Sequence, residues 1–164
     1  MQGQSFIPEL QFELISTIKC LERIPFDKFD WKPHEKSMSL GQLATHIAEI
    51  PGYAEMIMDT DGVDIAAGGY TPAVINSTSD LVQLLKNNMD KATEKLATVA
   101  DFPMSQEWTL RKGTEVIFSL PRNATIRSML ISHMIHHRGQ LSVYLRQLDI
   151  PVPSIYGPSA DEAN

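Results

Sequence analysis

Apolar residues recur at spacings of three and four in four long stretches of the chain, the periodicity of a helix with one buried face. Phe6, Leu10, Leu14, Ile18 and Leu21 mark a first helix from about Ser5 to Arg23, ended by Pro25 and an aromatic-rich loop to Pro33. Ser39, with Gln42 three residues later, forms a capping-box pattern that opens a second helix carrying Leu40, Leu43, Ile47, Ile50, Ala54 and Ile57. Pro51-Gly52 interrupts that stretch. The proline cannot donate to the Ile47 carbonyl and its ring clashes with it, so a kink near Ile50 or a break into two shorter helices is expected. A third helix starts at Asp80 and displays Leu81, Leu85, Met89, Ala92, Leu96 and Val99, ending before Pro103. The fourth follows Pro121 and Asn123 and runs to about Leu148, where Asp149, Pro151 and Pro153 stop it.

Between these helices, Thr60 to Thr78 reads as a long connection, and long connections in compact bundles cross over or carry part of a site. Glu107 to Leu120 places apolar residues on either side of Lys112-Gly113 and reads as a short β-hairpin. No repeat, low-complexity tract or flexible linker divides the chain. The pattern therefore predicts a single domain over residues 1–164: an all-α four-helix bundle, with a short β-hairpin between the third and fourth helices and its helix order left open.

Composition narrows the function classes. The 164 residues include 14 Lys and Arg against 20 Asp and Glu, a net charge of −6, and 43% are hydrophobic. A chain of this size buries enough surface to fold without disulfides or structural metal, so a bound metal would serve function. The one cysteine, Cys20, excludes an internal disulfide and fits a reducing compartment. No signal-peptide pattern follows Met1, and no apolar run approaches the roughly 20 residues needed to span a bilayer. A cytoplasmic protein is expected, with no membrane partner. The acidic balance, without a cluster of Lys and Arg, argues against nucleic acid.

The five histidines carry the candidate chemistry. At about 100° per residue, Ile126, Leu130, His133, His137, Leu141, Tyr144 and Leu148 fall within roughly 40° of one line on the fourth helix. His133 and His137 thus share the apolar stripe one turn apart, about 6 Å along the axis, where both imidazoles can reach one ion. His136 points about 100° away, toward an interface or the surface. His46 stands at the edge of the second helix's apolar face, one turn from Leu43 and Ile50, and can also look inward. Three neutral imidazoles facing one cavity are a recurrent way to hold zinc, nickel or iron with positions left for water or substrate. A single histidine on an apolar helix face is more often a satisfied core residue. A stacked pair is costly to bury unless its nitrogens find partners, which a shared ion supplies.

Two familiar metal chemistries drop out. His133-Met134-Ile135-His136-His137 lacks the Glu that follows the first ligand in H-E-x-x-H proteases. The positions three before each histidine hold Trp31, Leu43, Leu130, His133 and Met134, so the Glu-x-x-His pairs of di-iron bundles are absent. Cys20 lies in the first helix without a recognisable motif and reads as a small core hydrophobe. Gln140 could donate to a group behind the ligands or to substrate, or simply form a helix-packing hydrogen bond, and Glu49 could orient an imidazole or carry a proton, or stand as an exposed helix carboxylate.

Leu43-Ala44-Thr45-His46-Ile47-Ala48-Glu49, followed later by Ser132-His133-Met134-Ile135-His136-His137-Arg138-Gly139-Gln140-Leu141, resembles the DinB/YfiT-like superfamily. Tyr144-Leu145-Arg146-Gln147-Leu148, with Pro151, Pro153 and Tyr156 after it, is similar to the end of that family's last helix. The resemblance implies a four-helix bundle, one divalent metal on His46, His133 and His137 (nickel or zinc first, iron or manganese next), and often a homodimer. Relatives of this kind include thiol S-transferases and a thiol-dependent isomerase. Pro51-Gly52, one turn after His46, departs from the family pattern. The expectation is a metal-dependent enzyme that activates a small thiol or water for a small-molecule substrate. The alternative is a non-catalytic metal-binding stress-response protein. The substrate pocket is expected from loops such as Asp61 to Tyr70 and Ser154 to Asp161.

Overall fold

The capping box forms as its sequence requires: the Ser39 side chain accepts from the Gln42 amide at 3.1 Å while the Gln42 side chain accepts from the Ser39 amide at 2.8 Å. It starts one helix of a structure, a computed structural model, that describes residues 2–162. Met1, Ala163 and Asn164, the ends of the expected 1–164 domain, lie outside the described residues.

The helices are α1 (Ile7–Glu22), α2 (Leu40–Glu49), α3 (Tyr53–Asp59), α4 (Thr78–Thr98), α5 (Asp101–Ser105), α6 (Arg122–Ile126) and α7 (His133–Gln147). The strands are β1 (Gly62–Asp64), β2 (Glu107–Lys112) and β3 (Glu115–Pro121). α1 packs on α4 and α7, and α2 packs on the same two helices, around one continuous apolar cluster. The body is mostly helical with a small three-stranded sheet, which is more than the plain bundle and hairpin read from periodicity.

Pro51 produces the expected break. α2 ends at Glu49, Ile50–Gly52 forms a 3-10 turn, and α3 resumes at Tyr53. The hairpin pairs β2 with β3 through a two-residue loop, Gly113-Thr114, whose first residue has φ 60°, the left-handed conformation that such tight hairpin turns need. β1 adds a strand that hydrophobic pattern could not show. Its three residues pair in parallel with β2, Val63 opposite Leu110, inside the segment expected to be a plain connection. The buried Arg122 guanidinium holds the start of that connection, donating to the Ile57 and Thr60 carbonyls, each at 2.8 Å, and to Asp61 at 3.0 Å.

α1 departs from its predicted stripe. Phe6, Leu10 and Leu21 are buried as expected, but Leu14 and Ile18 are only half-buried, and Glu13, Ser16, Thr17 and Cys20 take the interior instead. The cause lies on α7, whose Arg138 side chain is 1% exposed and sits against that polar face. The segment Ser154 to Asp161, expected to help build a pocket, folds against α1 and α7. Tyr156 reaches Arg138 and Glu13, and Asp161 pairs with Arg146 at 2.5 Å.

Candidate metal centre

Leu43, Ala44, Ile47 and Ala48 anchor α2 in the core and leave His46 at the edge of its buried face, aimed at α7. One π-helical stretch, Arg127–Ser132, delivers the chain into α7, and His133 and His137 follow on successive turns of one face. Nε2 of His133 lies 3.3 Å from Nε2 of His46 and 2.8 Å from Nε2 of His137. The three ligand atoms all fall within 4.8 Å of one another, so the three histidines named by spacing come together and are positioned to bind a metal ion. The break at Pro51 does not turn His46 away. His136 is exposed on the outside of α7, and His34 lies apart in the loop before α2.

The protonation pattern favours a cation at the point of convergence. Nδ1 of His137 faces Oε1 of Gln140 at 2.7 Å, so Nδ1 carries the proton and Nε2 presents its lone pair. Gln140 is therefore an orienting group rather than a packing residue. Nδ1 of His133 is buried without a side-chain partner, and the Met129 backbone acts on that ring against the lowering of its pKa. Burial, reinforced by the neighbouring imidazoles, lowers His133 to about 4. Burial also lowers His46, helped by His137, and lowers His137 against the opposing bond from Gln140. All three rings are thus held neutral at pH 7, the form that ligates. Nitrogens on one tetrahedral ion at bond lengths of 2.0–2.1 Å stand roughly 3.3 Å apart, so the donor set fits with a small opening between His133 and His137.

Two chambers meet at His46. One, of about 450 Å³, lies beside Phe29, Met38, Gln42 and Thr45; the other, of about 400 Å³, lies beside Tyr53, Met56, Val63, Leu110 and Met129 and reaches His133. Tyr70 lines both. The expected pocket segment Asp61 to Tyr70 does line them, whereas Ser154 to Asp161 supplies no lining residue to either. Sequence reasoning missed Tyr53, whose ring centroid is 6.4 Å from both His46 and His133. It stands seven residues after His46, two turns on, which was the available signal. Tyr70 had no such signal. Glu49 is neither an imidazole partner nor a free surface carboxylate: it accepts from the Tyr70 hydroxyl and, at 2.8 Å, from the Ala73 amide. Burial pushes the Cys20 thiol up to about 11, which suits the core role read for it.

Known proteins resemble the chain over nearly its whole length. The family model described as the DinB family matches residues 2–164. A protein from Bacillus subtilis (strain 168) described as uncharacterized protein YrdA is 25% identical over 160 residues, covering 96% of this chain and 89% of its own. Uncharacterized protein YjoA from the same organism is 29% identical over 136 residues, covering 80% and 81%. The crystal structure of YjoA, described as a DinB-like protein, superposes with a TM-score of 0.64 over 88% of this chain and 92% of that one, at 22% identity, and supports the fold.

Proposed function

The chain belongs to the DinB family, and from that premise we propose that it holds one divalent metal ion on His46, His133 and His137 and works as a metal-dependent enzyme on a small molecule. The observation that carries the reading is the convergence of three neutral imidazoles, one with its proton held away by Gln140, at the junction of two chambers. With three uncharged ligands a divalent ion keeps its Lewis acidity and lowers the pKa of a bound thiol or water. Nickel or zinc suits an all-imidazole set, with iron and manganese next. The chemistry that follows is transfer of a low-molecular-weight thiol to an electrophile, or hydrolysis.

The chain's own residues have definite tasks in this reading. Gln140 fixes the ring of His137, the core contacts of α2 hold His46 at its edge position, and Tyr53 and Met129 wall the chamber on one side of the imidazoles. Among the described residues no carboxylate joins the three histidines, so this donor set would add no negative charge to the ion. Among the described residues no helix is long and apolar enough to cross a membrane. A cytoplasmic homodimer is part of the same proposal.

Elemental analysis of protein purified without an affinity tag tests the site. Wild type is expected to carry close to one divalent ion per chain and His137→Ala little; equal metal in both would end the assignment. Metal-loaded protein is then offered small thiols with electrophiles, and simple esters and amides. Metal-dependent consumption supports the enzyme, while binding without any consumption leaves a metal-binding protein.

A further inference from the structure

The two chambers beside His46 differ in chemistry. The one between α3, β1, β2 and the π-helical stretch is walled by Tyr53, Met56, Val63, Leu110 and Met129, with His46 and His133 at its inner end. Of its polar groups other than the imidazoles, two are engaged, and the Tyr53 hydroxyl makes no hydrogen bond among the described residues. The Asp64 carboxylate accepts from the Ala66 and Gly113 amides at 2.9 and 2.8 Å, and the Tyr70 hydroxyl bonds to Glu49. At the mouth, Ile65 is 53% and Tyr70 64% exposed, two large apolar side chains left facing solvent beside an apolar hollow. Ligand sites are typically concave, mostly apolar and 300–1,000 Å³ in volume, with a few polar groups at one end, and this chamber of about 400 Å³ has that form.

From these observations we infer that this chamber binds the uncharged apolar body of the substrate, a small ring-containing or branched molecule whose reactive end lies at His46 and His133. The claim about the reactive end rests on the proposed metal-dependent function; the claim about binding does not.

We further infer that one wall of the same chamber can move. Among the described residues, the hydrogen bonds that hold Gly68 to Ile75 to the body both go to one carboxylate, that of Glu49, from the Tyr70 hydroxyl and the Ala73 amide. Gly68 and Gly69 precede Tyr70 with φ of 71° and 94°, a conformation that other residues would adopt only with strain. Glu49 stands one turn beyond His46 on α2, so the latch and the site share a helix. Release of the Glu49 contact would free Tyr70, which lines both chambers.

Titration of the full chain with naphthalene, and separately with naphthalene-1-sulfonate, followed by amide chemical shifts, tests the proposal. Naphthalene is expected to shift Val63, Leu110 and Met129, with the sulfonate at least tenfold weaker. Leu110→Trp and the surface substitution Ile65→Trp, which fill the chamber, should each weaken naphthalene at least tenfold, whereas Ile75→Trp on the other chamber should not. Glu49→Gln, which takes the charge from both strap bonds, should speed naphthalene release several-fold. Shifts elsewhere, equal binding of the sulfonate, or indifference to both filling variants would overturn the chamber; an unchanged release rate would overturn the latch. Metal content measured on the same samples separates the two proposals: naphthalene in the chamber with equal metal in wild type and His137→Ala would remove the metal-dependent function and leave the chamber standing.

Discussion

His137 and Arg138 are neighbours on α7, both are buried, and they lead to opposite outcomes. Arg138 turns toward α1, where its guanidinium pairs with Glu13 at 2.6 Å and donates to the Glu13 carbonyl, the Ser16 and Thr17 hydroxyls and the Tyr156 hydroxyl. Tyr156 in turn donates to Glu13 at 2.8 Å. That cluster is internally satisfied and closes on itself. His137 turns toward α2, where three imidazole nitrogens converge. Buried polar groups that satisfy one another hold a fold together, and those whose lone pairs aim at one common point are suited to a shared cation. One helix thus carries a structural ion pair on one face and a candidate metal centre about 100° away on the next.

The contrast can be broken by single substitutions. The largest effect is expected from Arg138→Ala, which leaves the Glu13 carboxylate buried and uncompensated; loss of one partner of a buried pair costs about 3–5 kcal/mol, read as a shift in the denaturant midpoint. Metal bound per folded molecule should not change, and a metal deficit without loss of stability would mean that the two faces are not separate. Gln140→Ala reverses the pattern. Removing the group that orients a ligand lowers metal affinity about 10–100-fold. Stability of the metal-free chain should change little, and competition against a chromogenic chelator measures the affinity.

A smaller effect comes from pH. His133 is held at about 4 and His46 and His137 are also lowered from 6.5, so between those values the unfolded chain binds more protons than the folded one. Stability of the metal-free protein should therefore be full above pH 6.5 and fall as pH drops toward 4. The slope should flatten in His133→Ala, and denaturation at a series of pH values reads both. The smallest effect is expected at His136→Ala, on the exposed side of α7: within about 0.5 kcal/mol in stability, with metal content unchanged. A loss of metal there would show that the pair at His133 and His137 does not account for the site on α7.

Much of this was legible in one dimension. The capping box at Ser39, the break at Pro51, the hairpin around Gly113 and the pairing of His133 with His137 all depend on residues within a few positions of one another. What escaped the pattern was non-local. Three residues of β1 are too few to show alternation, and they are strand only because β2 lies alongside. The polar face of α1 is buried only because Arg138 arrives from a position more than 100 residues away. Glu49 looked like a surface carboxylate because its partners, Tyr70 and Ala73, lie on a strap without periodicity.

By itself the sequence determined the helical body, the helix ends and which histidines face inward, because periodicity, capping and proline act through local backbone geometry. The convergence of His46 with His133 and His137, the division of the space around them into two chambers, and the single carboxylate that holds the strap were decided only by the tertiary structure. Each depends on the distance between side chains on separate elements, and packing sets that distance.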